Sequence, residues 1–184
     1  MCGLLFALAA SWILSGQGGN PAPPAASLEY QVKAAFLYNF AKFVEWPADK
    51  PGGGPFVVGV LGKDPFGAAL DQAFGGKTIN GRAPQIWRIT GVAEARQCQI
   101  LFVSSSEAKR LPEILGTLRS ASVLTVSEIE DFAESGGMIR LRTEENKVRL
   151  EINVDAATQA GIRISSKLLA LARVVRGEAR TAKH

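Results

Sequence analysis

Three short apolar runs constrain this chain more than any other feature. They are Phe56 to Leu61 (FVVGVL), Ile100 to Val103 (ILFV) and Ser122 to Val126 (SVLTV). The first two are continuous rather than alternating, and the third makes the next strand. Such runs read as strands covered on both faces, the environment of a parallel sheet between helices. Pro84 to Ile89 supplies a further strand of the same set.

The segments between them carry helical patterns. Leu28, Val32, Phe36, Phe40 and Val44 recur at four-residue spacing, with Leu37 and Phe43 beside them, which predicts a helix from Leu28 to Trp46. Pro47 and the glycines at 52–54 end it. Asp64 is placed as an N-cap with Pro65 at the first helical position, opening a helix to about Phe74. Ser106 is placed to cap a helix through Leu118, and Ser127 a short one from Glu128 to Glu134, with Glu130 favoured by its dipole. Further on the period changes to two. Ile139 and Leu141 alternate with Arg140 and Arg142, and Val148, Leu150 and Ile152 alternate with Arg149 and Glu151. Around Glu144-Glu145-Asn146 this is a hairpin. Asn153 or Asp155 then starts a last helix reaching about Val175.

Strands alternating with helices predict an α/β fold: a three-layer sandwich with a mostly parallel sheet, a C-terminal antiparallel hairpin, and long first and last helices. The expected division is a leader over residues 1–26, an α/β domain over 27–176 and a basic tail over 177–184. Leu4 to Leu14 is too short to span a bilayer, which takes ~20 apolar residues, and it fits the core of a secretory signal with Ala25, Ala26 and Ser27 near the cleavage point. No Lys or Arg precedes the run, so either the start is truncated or misassigned or the signal is weak; the alternative is a buried strand or helix. The net charge is +4, of which Arg173, Arg176, Arg180 and Lys183 against Glu178 supply +3. The remainder, +1, is not a nucleic-acid-binding face; the tail reads as a solvated end or a membrane-surface contact.

The residue inventory argues against most catalytic chemistry. His184 is the one histidine, so the serines at 104–106 have no base within the fold. One histidine and one cysteine beyond the leader, Cys98, cannot supply a zinc set. Gly76-Lys77-Thr78 closes a helix instead of opening one, and position 71 is Asp where a P-loop needs Gly. Ser165-Ser166-Lys167 lacks the spacing of a serine–lysine pair. No catalytic residue, cofactor or metal site is therefore expected. Two groups of residues remain as binding candidates. The loops at strand ends, Gly62, Lys63, Asp64, Ser104, Ser105, Ser106 and Glu128, are placed to form a ligand pocket or partner surface, or simply turns. Phe36, Tyr38, Phe40, Phe43 and Trp46 crowd five aromatics into 11 residues. Tyr38, Phe43 and Trp46 are the interface candidates among them, with core packing the alternative.

In order and spacing, several segments together resemble the YfiR family. They are KAAFLYNFAKFVEWP (Lys33 to Pro47), NGR (Asn80 to Arg82), CQILFVS (Cys98 to Ser104), VLTVSE (Val123 to Glu128), FAESGGMI (Phe132 to Ile139) and VRLEIN…AGIRISSKLL (Val148 to Leu169). The resemblance runs from Tyr30 to about Val175. It implies a periplasmic α/β protein that binds the periplasmic domain of a membrane-bound diguanylate cyclase and keeps it inactive, so lowering cyclic di-GMP and biofilm formation. The alternative is a periplasmic ligand-binding module feeding a sensor kinase; a homodimer is left open. The family's redox-sensitive members carry disulfides, and Cys98 matches one such position with no second cysteine beyond the leader, which argues against a disulfide-based redox switch here.

Overall fold

In the computed structural model, residues 25–47 and 54–176 are described, with side chains from residue 28 on. Most of the expected leader, and the tail over 177–184, lie outside the described residues. The first helix, α1 (Ala25–Phe43), buries Ala34, Leu37, Phe40 and Ala41; of the predicted stripe Leu37 and Phe40 turn inward, whereas Leu28, Val32 and Phe43 are exposed. It stops before Trp46, contrary to expectation. Val44–Glu45 (β1) pairs instead with Arg163–Ile164 (β8), and the Ser165 amide donates to the Phe43 carbonyl at 3.0 Å.

The chain then lays down β2 (Phe56–Leu61), α2 (Ala68–Phe74), β3 (Pro84–Ile89), α3 (Val92–Ala95) and β4 (Ile100–Val103). A 3-10 turn (Ser105–Arg110) leads into α4 (Leu111–Leu118), followed by β5 (Leu124–Ser127), β6 (Ile139–Glu144) and β7 (Lys147–Asn153). After α5 (Val154–Gln159), β8 and α6 (Ser166–Leu169), β9 (Ala172–Val175) closes the described chain. The main sheet has the order β3-β2-β4-β5-β6-β7-β9. It is parallel from β3 to β6, β7 is antiparallel to β6, and β9 is parallel to β7.

The apolar runs are continuous because alternate residues serve two cores. Val58, Val60, Ile100, Phe102, Leu124 and Val126 meet α1, α2, α5 and α6. Val57, Leu61, Leu101 and Val103 meet α3, α4 and Phe132 on the other face. This is the expected three-layer α/β architecture, with the hairpin where it was predicted. Glu145 and Asn146 turn it with φ of 48° and 59°, the pair of left-handed residues that a two-residue hairpin loop needs.

Four local expectations are corrected. The helix after β2 begins at Ala68, because Asp64 Oδ1 accepts from the Phe66 amide at 2.7 Å and closes a turn first. Ser104, not Ser106, caps the segment after β4. Residues 128–134 form turns rather than a helix: Asp131 takes φ 52°, and Phe132 inserts into the second core. A Cβ on Gly137 would strike the Phe132 ring. The long last helix is broken, with Gly161 (φ 72°) after α5 and β9 as a strand on β7. Val174 and Val175 suit that strand, and β7 offers them an open edge.

Candidate functional site

The chain steps outward from β2 to β3 and then returns to β4 on the other side of β2, so the loops after β2 and β4 diverge at a topological switch point. In open α/β sheets this is where ligands sit. All seven predicted strand-end residues lie along this C-terminal rim. Gly62 has φ 88°, and a Cβ there would stand 2.5 Å from Ser106 Oγ and 2.7 Å from Glu107 Oε1. The next amide, of Lys63, donates to the same Ser106 Oγ at 3.0 Å. Gly62→Ala is therefore expected to cost about 2 kcal/mol, from strained backbone plus displacement of the 104–107 turn; chemical denaturation measures it.

Asp64 is engaged elsewhere. Its Oδ2 accepts from Arg88 Nε at 2.7 Å, and Arg88 also reaches Asp71 Oδ2 at 2.5 Å. Hydrogen bonds that Arg88 donates to Asp71 and then to Asp64 hold its guanidinium well above its ordinary pKa. Ser104 is buried, with its Oγ facing the Ser106 amide at 3.4 Å.

Glu128, just past β5, is the centre of the rim. Ser105 Oγ donates to its Oε1 at 2.9 Å. From α1, Lys33 Nζ donates to Oε2 at 2.6 Å, and the Tyr30 hydroxyl lies 3.1 and 3.2 Å from the two oxygens. Lys33 is 2% exposed and also pairs with Glu29, whose carboxylate accepts from Thr143 Oγ1 at 2.7 Å on β6. Tyr30 meets Phe66 edge-on, and Phe66 meets Phe102 of β4 in the same way, so the rim is continuous with the core. A carboxylate held by three donors ties α1 to β4 and β5; its lone pairs are spent within the fold.

Burial, reinforced by the charge of Glu128, pushes the Tyr30 hydroxyl up to about 12. A group whose pKa is raised on folding stabilises fully below its unfolded pKa, near 10, and that contribution is lost as pH rises through the folded value. Native stability should thus fall between pH ~10 and ~12 by about 1 kcal/mol more than in Tyr30→Phe, after allowance for solvent screening. Thermal melts across this range provide the check.

The aromatic candidates divide. Trp46 donates from Nε1 to the Gln99 carbonyl at 3.1 Å and stacks edge-on against Phe56, pinning the bottom of the sheet. Tyr38 packs on Phe74, with Lys77 Nζ 4.1 Å above its ring. Phe43 is 37% exposed, and Leu28 and Val32 are exposed further up the same helix. A cavity of 490 Å³ lies at the opposite end of the sheet from the rim, lined by Val154, Ala157, Thr158 and the residues from Gly161 to Ile164.

Sequence reasoning missed Tyr30 and Lys33. The available signal was a lysine one turn above Leu37 on the buried side of an apolar helix. It read the alternating charges of the hairpin but not the cluster they form, where Glu151 is 2% exposed among Arg140, Arg142 and Arg173. The alternating arginines of β6 were the signal there.

A family model described as YfiR/HmsC-like matches residues 30–173. No curated protein matches the sequence. A conserved domain protein from Vibrio cholerae is similar in structure, with a TM-score of 0.53 and 13% identity over 77% of this chain and 59% of that one. The ABC domain from Streptococcus pneumoniae in complex with L-tryptophan has a TM-score of 0.49 and 12% identity, covering 65% of this chain and 55% of that one. A ligand-free, open substrate-binding protein with adhesive properties from Clostridium difficile has a TM-score of 0.47 and 12% identity, covering 67% and 55%. The chain spans less than two-thirds of the length of each of these structures, and the likeness is one of fold.

Proposed function

This chain belongs to the YfiR/HmsC-like family, and on that premise we propose that it is an exported, periplasmic, non-catalytic regulator that binds the periplasmic domain of an inner-membrane diguanylate cyclase and restrains it. The observation that carries this reading is the family match over residues 30–173, which takes in every layer of the sandwich. Two features agree with it. The switch-point rim is knit to itself by Glu128, Lys33, Tyr30 and Ser105. Exposed apolar side chains lie outside it, on α1 and around β9. Among the described residues, no helix is long and apolar enough to cross a membrane.

A binding protein restrains an enzyme only through differential affinity for its inactive conformation. Moving a partner from one active molecule per inactive to a hundredfold excess of the inactive form takes about 2.7 kcal/mol of such preference. The test is retention of the sensor domain of a cyclase encoded beside this chain, together with cyclase activity in membranes carrying the full-length enzyme. The expected result is binding at micromolar concentration and a fall in cyclic di-GMP synthesis. Absence of retention at that concentration overturns the reading.

A further inference from the structure

We propose that β9 is a receiving edge for an extended segment of the protein partner in which acidic and apolar residues alternate. The inference rests on the reading that this chain acts by binding a protein, and it names where and with what chemistry. β9 ends the strand order, and among the described residues no strand pairs with its outer side. An open edge offers a row of backbone donors and acceptors to an added strand.

The two sides of this edge differ in character. Ala172 and Val174 face the core that holds α1, and Val174 remains 51% exposed, next to Leu171 at 72%. Arg173 points to the opposite face, opposite Glu151 on β7. There the hairpin register sets Arg140 opposite Glu151 and Arg142 opposite Arg149. Like charges directly opposite one another on a sheet repel. Arg140, Arg142 and Arg173 converge on the buried Glu151, and Arg142 also reaches Glu144, while Arg149 faces Arg142 across the hairpin. The Nε–H groups of Arg140 and Arg142 are buried and make no hydrogen bond, the latter standing 3.8 Å from Glu151 Oε1. The face holds more positive charge and more donors than its own carboxylates satisfy.

A strand added beside β9 has its residues alternating between these two faces. Those on the arginine face lie one strand spacing from Arg173 and two, ~10 Å, from Arg149, within reach of a long Arg–Glu pair. Those on the other face lie beside Ala172 and Val174. Carboxylates on one side and aliphatic groups on the other therefore complete both. The opposite edge of the sheet lacks this character: β3 begins with Pro84, and its Arg88 is already committed to Asp64 and Asp71.

The experiment uses the full chain and a dye-labelled peptide of alternating Glu and Val, beside an alternating Lys and Val peptide and a Glu–Val peptide N-methylated at alternate residues. Fluorescence anisotropy should show saturable binding of the Glu–Val peptide alone. Arg149→Ala with Arg173→Ala, both at exposed positions, should weaken it about ten-fold or more. Backbone amides of residues 172–175 should gain protection from hydrogen exchange. Equal binding of the methylated peptide, no binding of the Glu–Val peptide, or equal arginine-dependent binding of inorganic phosphate or phosphatidylglycerol vesicles overturns the proposal. If the cyclase sensor domain is retained undiminished by the double variant, this inference fails while the regulatory reading stands. If the wild-type chain retains no sensor domain, the regulatory reading itself fails.

Discussion

Glu128→Ala should destabilise the fold by about 3 kcal/mol, because it strands the ammonium of Lys33 away from water. The Lys33 side chain is 3% exposed, and after the substitution its one remaining carboxylate is Glu29, itself 32% exposed. Taking one partner from a buried pair costs more than the pair contributed, since the surviving charge keeps its desolvation penalty. The loss should concentrate where α1 meets the rim. Urea denaturation gives the magnitude, and hydrogen exchange should show the first half of α1 opening well below the global unfolding energy. The companion variant Lys33→Met with Glu128→Leu removes both charges and should recover most of the stability. That recovery separates an electrostatic tie from mere packing. A loss below about 1 kcal/mol for Glu128→Ala would mean that α1 is held by its apolar face alone.

This pair also marks the boundary of what the sequence discloses. Strands β2 and β4 were legible because a residue that faces a core on either side must be apolar, and six or four such residues in a row leave little choice. The hairpin was legible because one of its faces is charged. The strand-end loops of the rim were legible, Glu128 among them, but its pairing with Lys33 was not, since the two lie 95 residues apart and no local pattern links them. Both nevertheless fall within segments that carry the family resemblance, so the resemblance held information that periodicity did not. Sequence reading placed the cap after β4 at Ser106; the hydrogen bond accepted by Ser104 from the amide two residues on selects Ser104 instead. The last helix failed for a different reason. Leu168 to Val175 has a helical apolar pattern, but β7 presents an unpaired edge that only the assembled sheet creates, and Ala172–Val175 fills it.

Asn153 stands at the point where that final crossover leaves the sheet, and its amide does two jobs that no other side chain combines. Oδ1 caps α5 by accepting from the Ala156 amide at 2.9 Å, while Nδ2 donates to the Ala133 carbonyl at 2.8 Å, all at 1% exposure. Asn153→Ala loses the cap and one buried hydrogen bond, an expected cost of about 2 kcal/mol. Asn153→Asp keeps the cap but turns a carboxylate oxygen toward the Ala133 carbonyl, with no water to separate them. At neutral pH it should cost about 3 kcal/mol, more than the alanine. Its distinguishing mark is pH dependence. Protonated, the acid can donate to Ala133 as the amide did, so the folded state raises the pKa of the introduced group above the unfolded value near ~4. The variant should therefore come closest to wild type below that unfolded pKa and lose ground as pH rises through the folded one. Paired denaturation curves of wild type and variant from pH 3.5 to 7 test the sign directly. A constant difference across the range would show that the Ala133 contact does not govern this junction.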